Sequence, residues 1–531
     1  MRNIENFYFF CMREFNVTGR CLPDEHYMVD ISEKVRLIAA MVERGDYFTI
    51  NRARQYGKTT TLWTLEEELV KKGYTVTRIS FEGIGDEPFE SEKEFCQSLL
   101  RQIYEELKWY KAKGSSLWKN KSITTFKKLD AFLNTACKNK KFVLMIDETD
   151  KTSNNLVFLR FIGMLRDKYL KRGRDAGATF QSVILCGVYD IKNLKVKLVK
   201  SGLYQLKDGE KRINSPWNIA ANFEVDMSFS ASEIATMLNE YEKDHKTGMN
   251  IEEVSKEIRV YTSGYPYLVS RICQKIDRDL EKDWTKGGVQ RAVQAMLFEK
   301  NFLFDDLGKN LESDENFCNL LYDIAVNGKS YEYTIINPSI DWGVMFGILR
   351  NQNGKVVIDN RIFEILIYNY FVTKRRIEGI DITGVLPSEV INNGKFDMAL
   401  AVKKFAQHYH ELYSDRDNKF LERECRLLFL TYIKPLINGN GFYHVESETR
   451  DSKRMDVLID FGSEQFIIEL KIWKGEQKHE KAHEQLISYL NSKNKTEGYL
   501  VTFDFRKRRL EKPSVKWVRK GKKRFLDCLA V

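Results

Sequence analysis

Short apolar runs, separated by longer segments in which apolar residues recur every three or four positions, fill the first part of the chain. Runs of this kind predict buried strands, and the segments between them predict amphipathic helices. The predicted strands cover residues 47–51, 75–81, 141–147, 182–186 and 222–226. Because strands that alternate with helices pair in parallel, we predict an α/β fold whose first sheet is parallel.

The middle of the chain has a helical pattern. Residues 228–300 carry amphipathic stripes that predict a helical lid, and a second group of elements follows. We predict helices near 315–325, 339–346 and 361–371, with a hairpin at 347–359 that turns at Asn353-Gly354. This order is typical of a winged helix. The hairpin carries few basic residues (Arg350 and Lys355), which favours a packing role over DNA binding.

The last part of the chain has a second α/β pattern. A helix is predicted at 420–430, strands at 441–448, 454–460 and 465–472, and a further helix around 485–489. Glycines and a proline between residues 376 and 394 predict a linker. The expected division is therefore a first α/β unit over 1–227, a lid over 228–305, a winged helix over 306–375, the linker over 376–394 and a last unit over 395–531.

Composition places this organisation in a globular protein. At 531 residues the chain is too long for one core, and 43% of its residues are hydrophobic and 30% charged. No apolar run reaches the ~18–20 residues that a membrane span requires. Nine cysteines without a C-x-x-C spacing indicate reduced thiols. We expect a cytoplasmic protein without a membrane partner.

A candidate phosphate-binding loop follows the first predicted strand. Such a loop needs inward-facing backbone N–H groups, a lysine that reaches the phosphates, and a hydroxyl for Mg²⁺ at a helix start. Gly57, Lys58 and Thr59 supply the glycine, the lysine and the hydroxyl, and Thr60 follows. Arg52 stands where the pattern has its first glycine. Taken alone, the triplet is also compatible with an ordinary helix start that carries a solvated lysine.

Two acids end the apolar strand predicted at 141–147. Asp147 and Glu148 follow five apolar residues, the pattern of a Walker B segment. In that pattern Asp147 holds Mg²⁺, directly or through water, and Glu148 polarises the attacking water. Together with Lys58 upstream, this pair favours a P-loop nucleotide site over a strand that is merely capped by acids.

A second set of charges interrupts the apolar strand at 465–472. Glu469 and Lys471 point to the same face of that strand, and Asp456 lies on the strand before it. Paired carboxylates suit a hard cation such as Mg²⁺, and a lysine beside them can orient or deprotonate water. The alternative is a surface ion pair on an edge strand.

The order of elements around these charges resembles the PD-(D/E)XK nuclease superfamily, and more narrowly the nuclease domain at the end of bacterial AAA-ATPase-like proteins. The resemblance implies a restriction-endonuclease-like α/β/α domain in which Asp456 and Glu469 bind Mg²⁺ or Mn²⁺ and Lys471 is catalytic. It also implies that Gln485 and Tyr489, a Q-x-x-x-Y pair, contact nucleic acid or support the site. The proline common in the first motif of this superfamily is absent here.

The helix at 420–430 offers one further acid to this site. Glu422 and Glu424 both fit, and the choice between them stays open, with Glu424 carried forward as the extra acid.

The first half resembles the AAA-ATPase-like domain of the same bacterial proteins, which is related to STAND-type P-loop ATPases. Residues 52–59 match the Arg-rich loop R-x-R-x-[FY]-G-K-[ST] of that family, which explains the missing glycine. The resemblance implies that ATP and Mg²⁺ bind at a set of residues comprising Arg54, Gly57, Lys58, Thr59, Thr60 and Asp147, with Glu148 catalytic.

A Gly-x-Pro segment resembles the start of the lid helix in that family. Gly264 and Pro266 would then lie near the adenine, although an ordinary turn between helices explains them equally well. Arg54 and Arg212 are the two candidates for an arginine finger, and the sequence does not assign the role to either of them.

Positive charge is concentrated near the end of the chain. Eleven of the residues between 506 and 524 are Lys or Arg, against one acid, and the whole chain has a net charge of +10. The later ones fall in a hairpin predicted from strands at 515–518 and 525–531, with a lysine-rich turn. Phosphate neutralisation is one use of such a cluster, and a charge-protected sheet edge is the other. The neighbouring candidate site favours contact with nucleic acid.

The sequence thus predicts an ATP-binding, ATP-hydrolysing protein with a metal-dependent nuclease domain that acts on nucleic acid, with DNA favoured over RNA. The rival is an ATP-driven switch that assembles into homo-oligomers and whose last domain binds nucleic acid or a partner without cleaving it. Endo- or exonuclease action, control of cleavage by ATP, and biological role stay open.

Overall fold

The structure is a computed structural model. It describes residues 13–112, 114–119, 121–152, 155–172, 178–188, 217–326, 329–377, 387–392, 394–413, 418–437, 441–444, 457–462, 464–506 and 512–531. For residues 151–152, 375–377, 387, 412–413, 418–424 and 442–444 it describes the backbone only.

The described chain divides into two compact units. The first comprises Met1–Arg259, Gly264–Gln274 and Met345–Gly347, and the second comprises Val260–Ser263, Lys275–Val344 and Ile348–Val531. The helices predicted as a lid over 228–305 are therefore shared between the two units.

A four-stranded parallel sheet forms the centre of the first unit. Its strands are β1 (Phe48–Asn51), β2 (Thr75–Ser80), β3 (Phe142–Asp147) and β4 (Ser182–Gly187), in the order β1-β4-β3-β2. Helices α1 (Ser32–Glu43), α2 (Lys58–Lys71), α3 (Glu92–Trp109), α4 (Phe126–Ala136) and α5 (Leu156–Leu170) connect or precede them. The parallel α/β prediction for this region is confirmed.

Apolar side chains project from both faces of this sheet and pack into a core on each side. In β3, Leu144 and Ile146 join the core on the side of α3, α4 and α5, whereas Val143 and Met145 join the core on the side of α1 and α2. The period of two in strand geometry produces this division, and it explains why the sequence of β3 is continuously apolar.

The strand predicted at 222–226 is absent from the structure. This edge of the sheet carries a single parallel bridge, between Phe48 and Ala221. The Arg52 guanidinium donates a hydrogen bond to the Val225 carbonyl at 3.0 Å. A side chain thus takes an acceptor that a strand ladder would otherwise use, and the prediction was wrong for that reason.

Helices dominate the chain between the two sheets. They are α6 (Ala231–His245), α7 (Ile251–Thr262), α8 (Pro266–Asp279), α9 (Lys286–Leu297), α10 (Phe302–Ser313), α11 (Glu315–Ala325) and α12 (Pro338–Met345). Ser230 starts α6 with a capping box, in which its hydroxyl accepts from the Glu233 N–H and the Glu233 carboxylate accepts from the Ser230 N–H.

The predicted hairpin and its following helix are present in the second unit. Strands β5 (Leu349–Gln352) and β6 (Lys355–Ile358) pair antiparallel, and α13 (Arg361–Ile377) follows. Asn353 and Gly354 have φ values of 53° and 83°, the conformation that a tight two-residue hairpin turn requires.

A six-stranded mixed sheet completes the second unit. Its strands are β9 (Gly441–His444), β10 (Val457–Phe461), β11 (Glu464–Ile472), β12 (Glu497–Phe503), β13 (Ser514–Lys520) and β14 (Lys523–Ala530), in the order β13-β14-β12-β11-β10-β9. Strands β11, β12 and β14 run parallel, and the other pairs are antiparallel.

Helices cover both faces of this sheet. Helix α17 (Glu476–Ser492) packs against one face through Leu486, Tyr489 and Leu490, which join Leu500 in one core. On the opposite face the Phe405 ring of α15 (Met398–Tyr413) lies 6.0 Å from that of Phe503. Helix α16 (Asn418–Ile437) packs against α15.

The segment predicted as a linker is only partly described. Residues 378–386 lie outside the described residues, and the remainder forms α14 (Pro387–Val390) and a short hairpin of β7 (Ile391–Asn392) and β8 (Lys395–Phe396). The Phe396 ring contacts the rings of Phe461 and Phe466, so this hairpin packs against the six-stranded sheet.

Two expectations from composition concern membranes and thiols. Within the described part of the chain, no helix has both the length and the apolar character to cross a membrane. Every cysteine whose position the structure describes has a free thiol.

Candidate nucleotide-binding and nuclease sites

The loop between β1 and α2 has the backbone of a phosphate-binding loop. Gln55 and Gly57 have φ values of 56° and 73°, in the left-handed region, and Gly57 is the N-cap of α2. The first N–H groups of a helix have no acceptor within the helix. Because the helix dipole also places partial positive charge at this end, the start of α2 is suited to an anion.

Lys58 is held inside this loop. Its side chain is buried, and the ammonium donates to the carbonyls of Arg52 at 3.0 Å and Ala53 at 2.9 Å. These contacts place the positive charge at the mouth of α2 and exclude the ordinary solvated lysine that the sequence left open. A lysine held in this way can release the two carbonyls and donate its hydrogen bonds to a phosphate group instead.

Thr59 and Asp147 meet although they lie 88 residues apart. The Thr59 hydroxyl donates to the Asp147 carboxylate at 2.9 Å. Their oxygens are the kind of donors that Mg²⁺ prefers, so both predicted magnesium ligands fit a single ion. Asp147 lies in this position because it ends β3, whose carboxyl end faces the loop that follows β1.

Glu148 has a backbone conformation that is uncommon for a residue other than glycine. Its φ is 54°, and its N–H donates to the Asp147 carboxylate at 3.0 Å. Burial raises the pKa of the Glu148 carboxyl above the ordinary value, nearby Lys58 opposes that rise, and the charge of Asp147 adds to it. This carboxylate therefore accepts a proton more readily than a solvated glutamate does.

A cavity of about 690 Å³ in the first unit opens onto these residues. Its polar part is lined by residues 54–61 and by three acids, Glu82, Glu148 and Asp150. Its apolar part is lined by Val29, Ile31, Met227, Phe229, Met237 and Pro266, among others. A site with phosphate-binding groups at one end and apolar side chains at the other matches the two ends of a nucleotide.

The predicted Gly-x-Pro segment has two different roles. Pro266 lines the cavity, and a Cβ on Gly57 would lie 3.8 Å from its ring. Gly264 has a φ of 74° and accommodates the backbone of Phe229, whose N–H donates to the Gly264 carbonyl at 2.8 Å. Gly264 thus positions Phe229, which lines the cavity.

The remaining predicted residues of the loop also lie at the cavity. Arg54 lines it, and the Arg54 carbonyl accepts from the Tyr265 hydroxyl at 2.6 Å. Thr60 lines it as well, while its hydroxyl accepts from the backbone N–H of Cys21 at 3.3 Å. Arg212, the other candidate arginine finger, lies outside the described residues.

Glu469 and Lys471 form an ion pair on β11 in which the carboxylate is buried and the lysine side chain is 32% exposed. The Glu469 side chain is 0% exposed, and the Lys471 ammonium lies 2.6 Å from its Oε1. Strand β11 is an interior strand, flanked by β10 and β12, so the edge-strand alternative is excluded. A buried carboxylate is costly to desolvate, which indicates that a cation is required beside it.

The other predicted acids of this site are not described in full. Asp456 lies outside the described residues, which resume at Val457 opposite Ile468. Glu422 and Glu424 fall in α16, where the structure describes the backbone only. The confirmed elements here are therefore the strands and the helix, and the set of metal-binding acids stays a prediction.

Gln485 and Tyr489 lie one turn apart on α17, as predicted. The Gln485 amide donates to the Tyr489 hydroxyl at 3.4 Å. Tyr489 is 2% exposed and packs in the core with Leu458 and Leu500. This burial favours support of the sheet and of Gln485 over direct contact of Tyr489 with a nucleic acid.

Six of the eleven basic residues near the end of the chain, from Lys516 to Arg524, lie on the hairpin of β13 and β14, and residues 507–509 lie outside the described residues. Some are engaged: Lys520 pairs with Glu480, and Arg524 pairs with Glu497. Within the described residues, Lys516, Arg519 and Lys522 are exposed and make no ion pair. Trp517 is exposed between two of these cations, and Arg524 lies 4.9 Å from its ring centre.

Comparison with a family model accounts for the first of these sites. Residues 24–286 match the model of the AAA-like domain. This region is an AAA-like P-loop ATPase domain. The match contains every predicted nucleotide-binding residue, from Arg54 to Pro266, and it ends before the second sheet.

Solved structures with similarity to the chain include the following three proteins. A Walker-type ATPase of Pyrococcus abyssi is 12% identical over 66% of this chain and 99% of its own, with a TM-score of 0.45. The ORC2 protein of Aeropyrum pernix, in ADPNP–ADP complexes, is 13% identical over 67% and 96%, with a TM-score of 0.30. Domain III of the replication initiation protein DnaA of Thermotoga maritima is 12% identical over 52% and 92%, with a TM-score of 0.26. A comparison with curated proteins finds no match.

Sequence reasoning missed two contributions to the cavity of the AAA-like domain. Glu82 follows β2 by two residues, and its position after an apolar strand beside β3 was a usable signal. The segment that contains Tyr27 and Val29 also lines the cavity. It carries no motif, because its contribution comes from apolar contact, for which many sequences are suitable.

Proposed function

We propose that this protein binds and hydrolyses ATP in its AAA-like domain and that its C-terminal sheet is a metal-dependent nuclease, with DNA as the favoured substrate. The ATPase part has the stronger support. The observation that carries it is that Lys58, Thr59 and Glu148 line one cavity, while the Asp147 carboxylate accepts a hydrogen bond from Thr59.

The nucleotide would lie with its phosphates at the start of α2 and its base among the apolar residues near Pro266. Lys58 would exchange its carbonyl partners for phosphate oxygens, and Thr59 and Asp147 would hold Mg²⁺. A magnesium ion in this position supplies charge neutralisation of the phosphates. Glu148 would orient the attacking water and accept its proton, a role to which its raised pKa is suited.

Lys58→Ala tests the nucleotide site. We expect ATP affinity to fall about 10–100-fold, because charge-assisted hydrogen bonds to the phosphates are lost, each contributing about 1.5–3 kcal/mol. Isothermal titration calorimetry with ATP and Mg²⁺ measures the affinity. Lys71→Ala, an exposed lysine at the end of the same helix, is the matched control and should bind as the unmodified protein does. Equal affinity of the two variants would overturn the proposed P-loop site.

The nuclease proposal is supported by Glu469 and Lys471. Burial of the Glu469 carboxylate in an interior strand costs desolvation free energy, even with a cation beside it. A role in catalysis explains why the protein carries a charge at this position. Asp456 and Glu469 would bind Mg²⁺ or Mn²⁺, with Glu424 or Glu422 as an additional acid, and Lys471 would orient or deprotonate the attacking water. A bound metal ion would stabilise charge on the scissile phosphate.

The exposed cations of the β13–β14 hairpin support a nucleic-acid partner. Lys516 and Arg519 can neutralise phosphates, and the exposed Trp517 ring, on the same face of β13 as Arg519, offers a surface on which a base can stack. Because the hairpin pairs with β12 through β14, it belongs to the same sheet as Glu469.

A cleavage panel tests this part of the proposal. Single-stranded DNA, double-stranded DNA and RNA are incubated with the protein and Mg²⁺ or Mn²⁺, and products are separated on gels. We expect cleavage, reduced at least about 100-fold in Glu469→Gln and in Lys471→Ala. Glu484→Gln, an exposed acid on α17, is the control. Binding without cleavage would instead favour the ATP-driven switch.

The same panel with and without ATP tests the coupling of the two activities. Both sites share one chain, which motivates the hypothesis that nucleotide state controls cleavage or assembly into a homo-oligomer. Identical cleavage in both conditions would remove this hypothesis.

A further inference from the structure

Two histidines and an aspartate meet between α17 and β14, away from the residues discussed so far. His479 and His483 are one helical turn apart, and the Nε2 atoms of the two rings lie 3.1 Å and 3.2 Å from Oδ2 of Asp527. The candidate ligand atoms of all three residues lie within 4.8 Å of one another. We propose that His479, His483 and Asp527 bind a divalent transition-metal ion of the Zn²⁺ type.

The donor atoms select the class of ion. Two imidazole nitrogens and one carboxylate oxygen suit Zn²⁺ and its neighbours in the first transition row, whereas Mg²⁺ and Ca²⁺ prefer oxygen ligands throughout. Metal–ligand distances of ~2.0–2.2 Å in a tetrahedral site place neighbouring ligand atoms roughly 3.3 Å apart. The two measured separations are close to that value, so small side-chain shifts suffice to admit an ion.

The outer nitrogens of both rings are already oriented for this role. Nδ1 of His483 lies 3.2 Å from a Glu480 carboxylate oxygen, and Nδ1 of His479 lies 3.4 Å from the Thr502 hydroxyl. A metal-binding histidine commonly engages its second nitrogen in this way, which determines the tautomer and the ring orientation. Lys520 in turn pairs with Glu480.

The buried carboxylate of Asp527 has one oxygen that can accept a further ligand or donor. Asp527 is 4% exposed, and its Oδ1 makes no hydrogen bond with any described residue. A buried carboxylate oxygen without a donor is costly, and a cation would remove that cost. Without a metal, hydrogen bonds between the His483 ring and the carboxylates of Glu480 and Asp527 would hold the cluster by themselves. That metal-free arrangement is the alternative that the experiment must exclude.

This site is separate from the proposed nuclease site. Glu469 pairs with Leu500 on β12, and Leu500 pairs with Asp527 on β14, so Glu469 and Asp527 are two strand spacings apart, or ~9.6 Å. Ions of a two-metal catalytic pair lie ~3.5–4 Å apart. The inferred ion therefore joins α17 to β14, and its existence does not rest on nuclease activity.

Cobalt titration of the full-length protein tests the inference. After removal of metals with a chelator, Co²⁺ is added and its visible d–d absorption is followed, and Zn²⁺ is then added as competitor. We expect one Co²⁺ per chain, displaced by Zn²⁺. His483→Gln and Asp527→Asn should each weaken binding by about 10–100-fold or more.

Matched variants separate this result from general effects. His408→Gln changes a histidine of α15 outside the cluster, and Glu484→Gln changes an exposed acid of α17; both should bind Co²⁺ as the unmodified protein does. Circular dichroism of each metal-free variant checks its fold, and His479→Gln replaces any variant that does not fold. Failure of the unmodified protein to bind Co²⁺ or Zn²⁺ saturably, or equal binding by the cluster variants, overturns the inference.

Discussion

The two sheets of this protein present buried acids in opposite ways. Asp147 ends a strand of the parallel sheet, where loops converge and a cavity of about 690 Å³ adjoins its neighbours. Glu469 lies within β11, 0% exposed, and its cation Lys471 comes from the same strand. Ends of parallel strands collect residues from several loops, whereas a strand interior offers only its own face and the adjacent strands.

This difference has a consequence for function. At Asp147 the partners Thr59 and Glu148 are already in contact with it, and all three residues lie within the AAA-like domain. At Glu469 the ion pair with Lys471 is in place, and the proposed metal requires further acids from neighbouring elements. The first site should therefore respond to mutation mainly in chemistry, and the second also in stability.

The largest expected effect concerns Glu148. Glu148→Gln should lower ATP hydrolysis about 100–1,000-fold, because it removes the proposed general base, while ATP affinity changes little. Steady-state phosphate release and calorimetric ATP titration measure the two quantities. Glu90→Gln, an exposed acid, is the control. Unchanged turnover would show that Glu148 is not the base.

The second effect compares two glycines with nearly equal φ values. Gly264 and Gly248 have φ of 74° and 75°, but a Cβ on Gly264 would lie 2.0 Å from the Phe229 carbonyl oxygen, whereas one on Gly248 meets nothing within 4 Å. Gly248→Ala should cost only the backbone term of about 1 kcal/mol. Gly264→Ala should lower the free energy of unfolding by about 3 kcal/mol and weaken ATP binding, since Phe229 lines the cavity. Urea unfolding compares them, and equal losses would contradict the close approach.

The third effect concerns the ion pair of the buried Glu469 with Lys471. Lys471→Ala should lower the free energy of unfolding by about 2 kcal/mol, because it removes the cation 2.6 Å from a buried carboxylate. Lys516→Ala, an exposed strand lysine, should change it by less than about 0.5 kcal/mol. Adding Glu469→Gln to Lys471→Ala should restore part of the loss. Urea unfolding of the unmodified protein, the two single variants and the double variant provides a double-mutant cycle. If the losses in the free energy of unfolding are additive, Glu469 and Lys471 are not coupled.

The smallest effect is a pH dependence at Glu148. The carboxylate is the active form, and burial raises its pKa above the ordinary 4.5, so ATP hydrolysis should begin to fall at a higher pH than an ordinary glutamate would produce. For stability the sign is opposite: a raised pKa contributes stability below the unfolded value, and this contribution is lost as pH rises through the folded value. Residual hydrolysis by Glu148→Gln should lack this acid limb, and rate–pH profiles of both proteins decide it.

Much of the first unit could be predicted because its signals are local. The four confirmed strands are continuous apolar runs, and Gly57, Lys58 and Thr59 are adjacent. The strand expected at 222–226 failed because local alternation does not reveal that Arg52 binds the Val225 carbonyl. Long-range competition of that kind is absent from a local pattern.

The second unit was predicted in its elements more than in its contacts. The position of Glu469 and Lys471 on one face of a strand followed from the local pattern, whereas the burial of Glu469 in an interior strand came only from the structure. The cluster of His479, His483 and Asp527 was overlooked, although the spacing of the two histidines was a usable signal. Asp527 is 44 residues further along, and only the pairing of β12 with β14 brings it to α17.

The sequence by itself determined the elements and the phosphate-binding loop, because apolar periodicity and a short glycine-containing motif act within a few residues of the chain. The tertiary structure alone decided the contacts between distant groups that no motif marks. Phe229 meets Gly264, and two histidines meet Asp527, since strand order and helix packing set these neighbours. Such contacts depend on the position of whole elements, which no local stretch of sequence specifies.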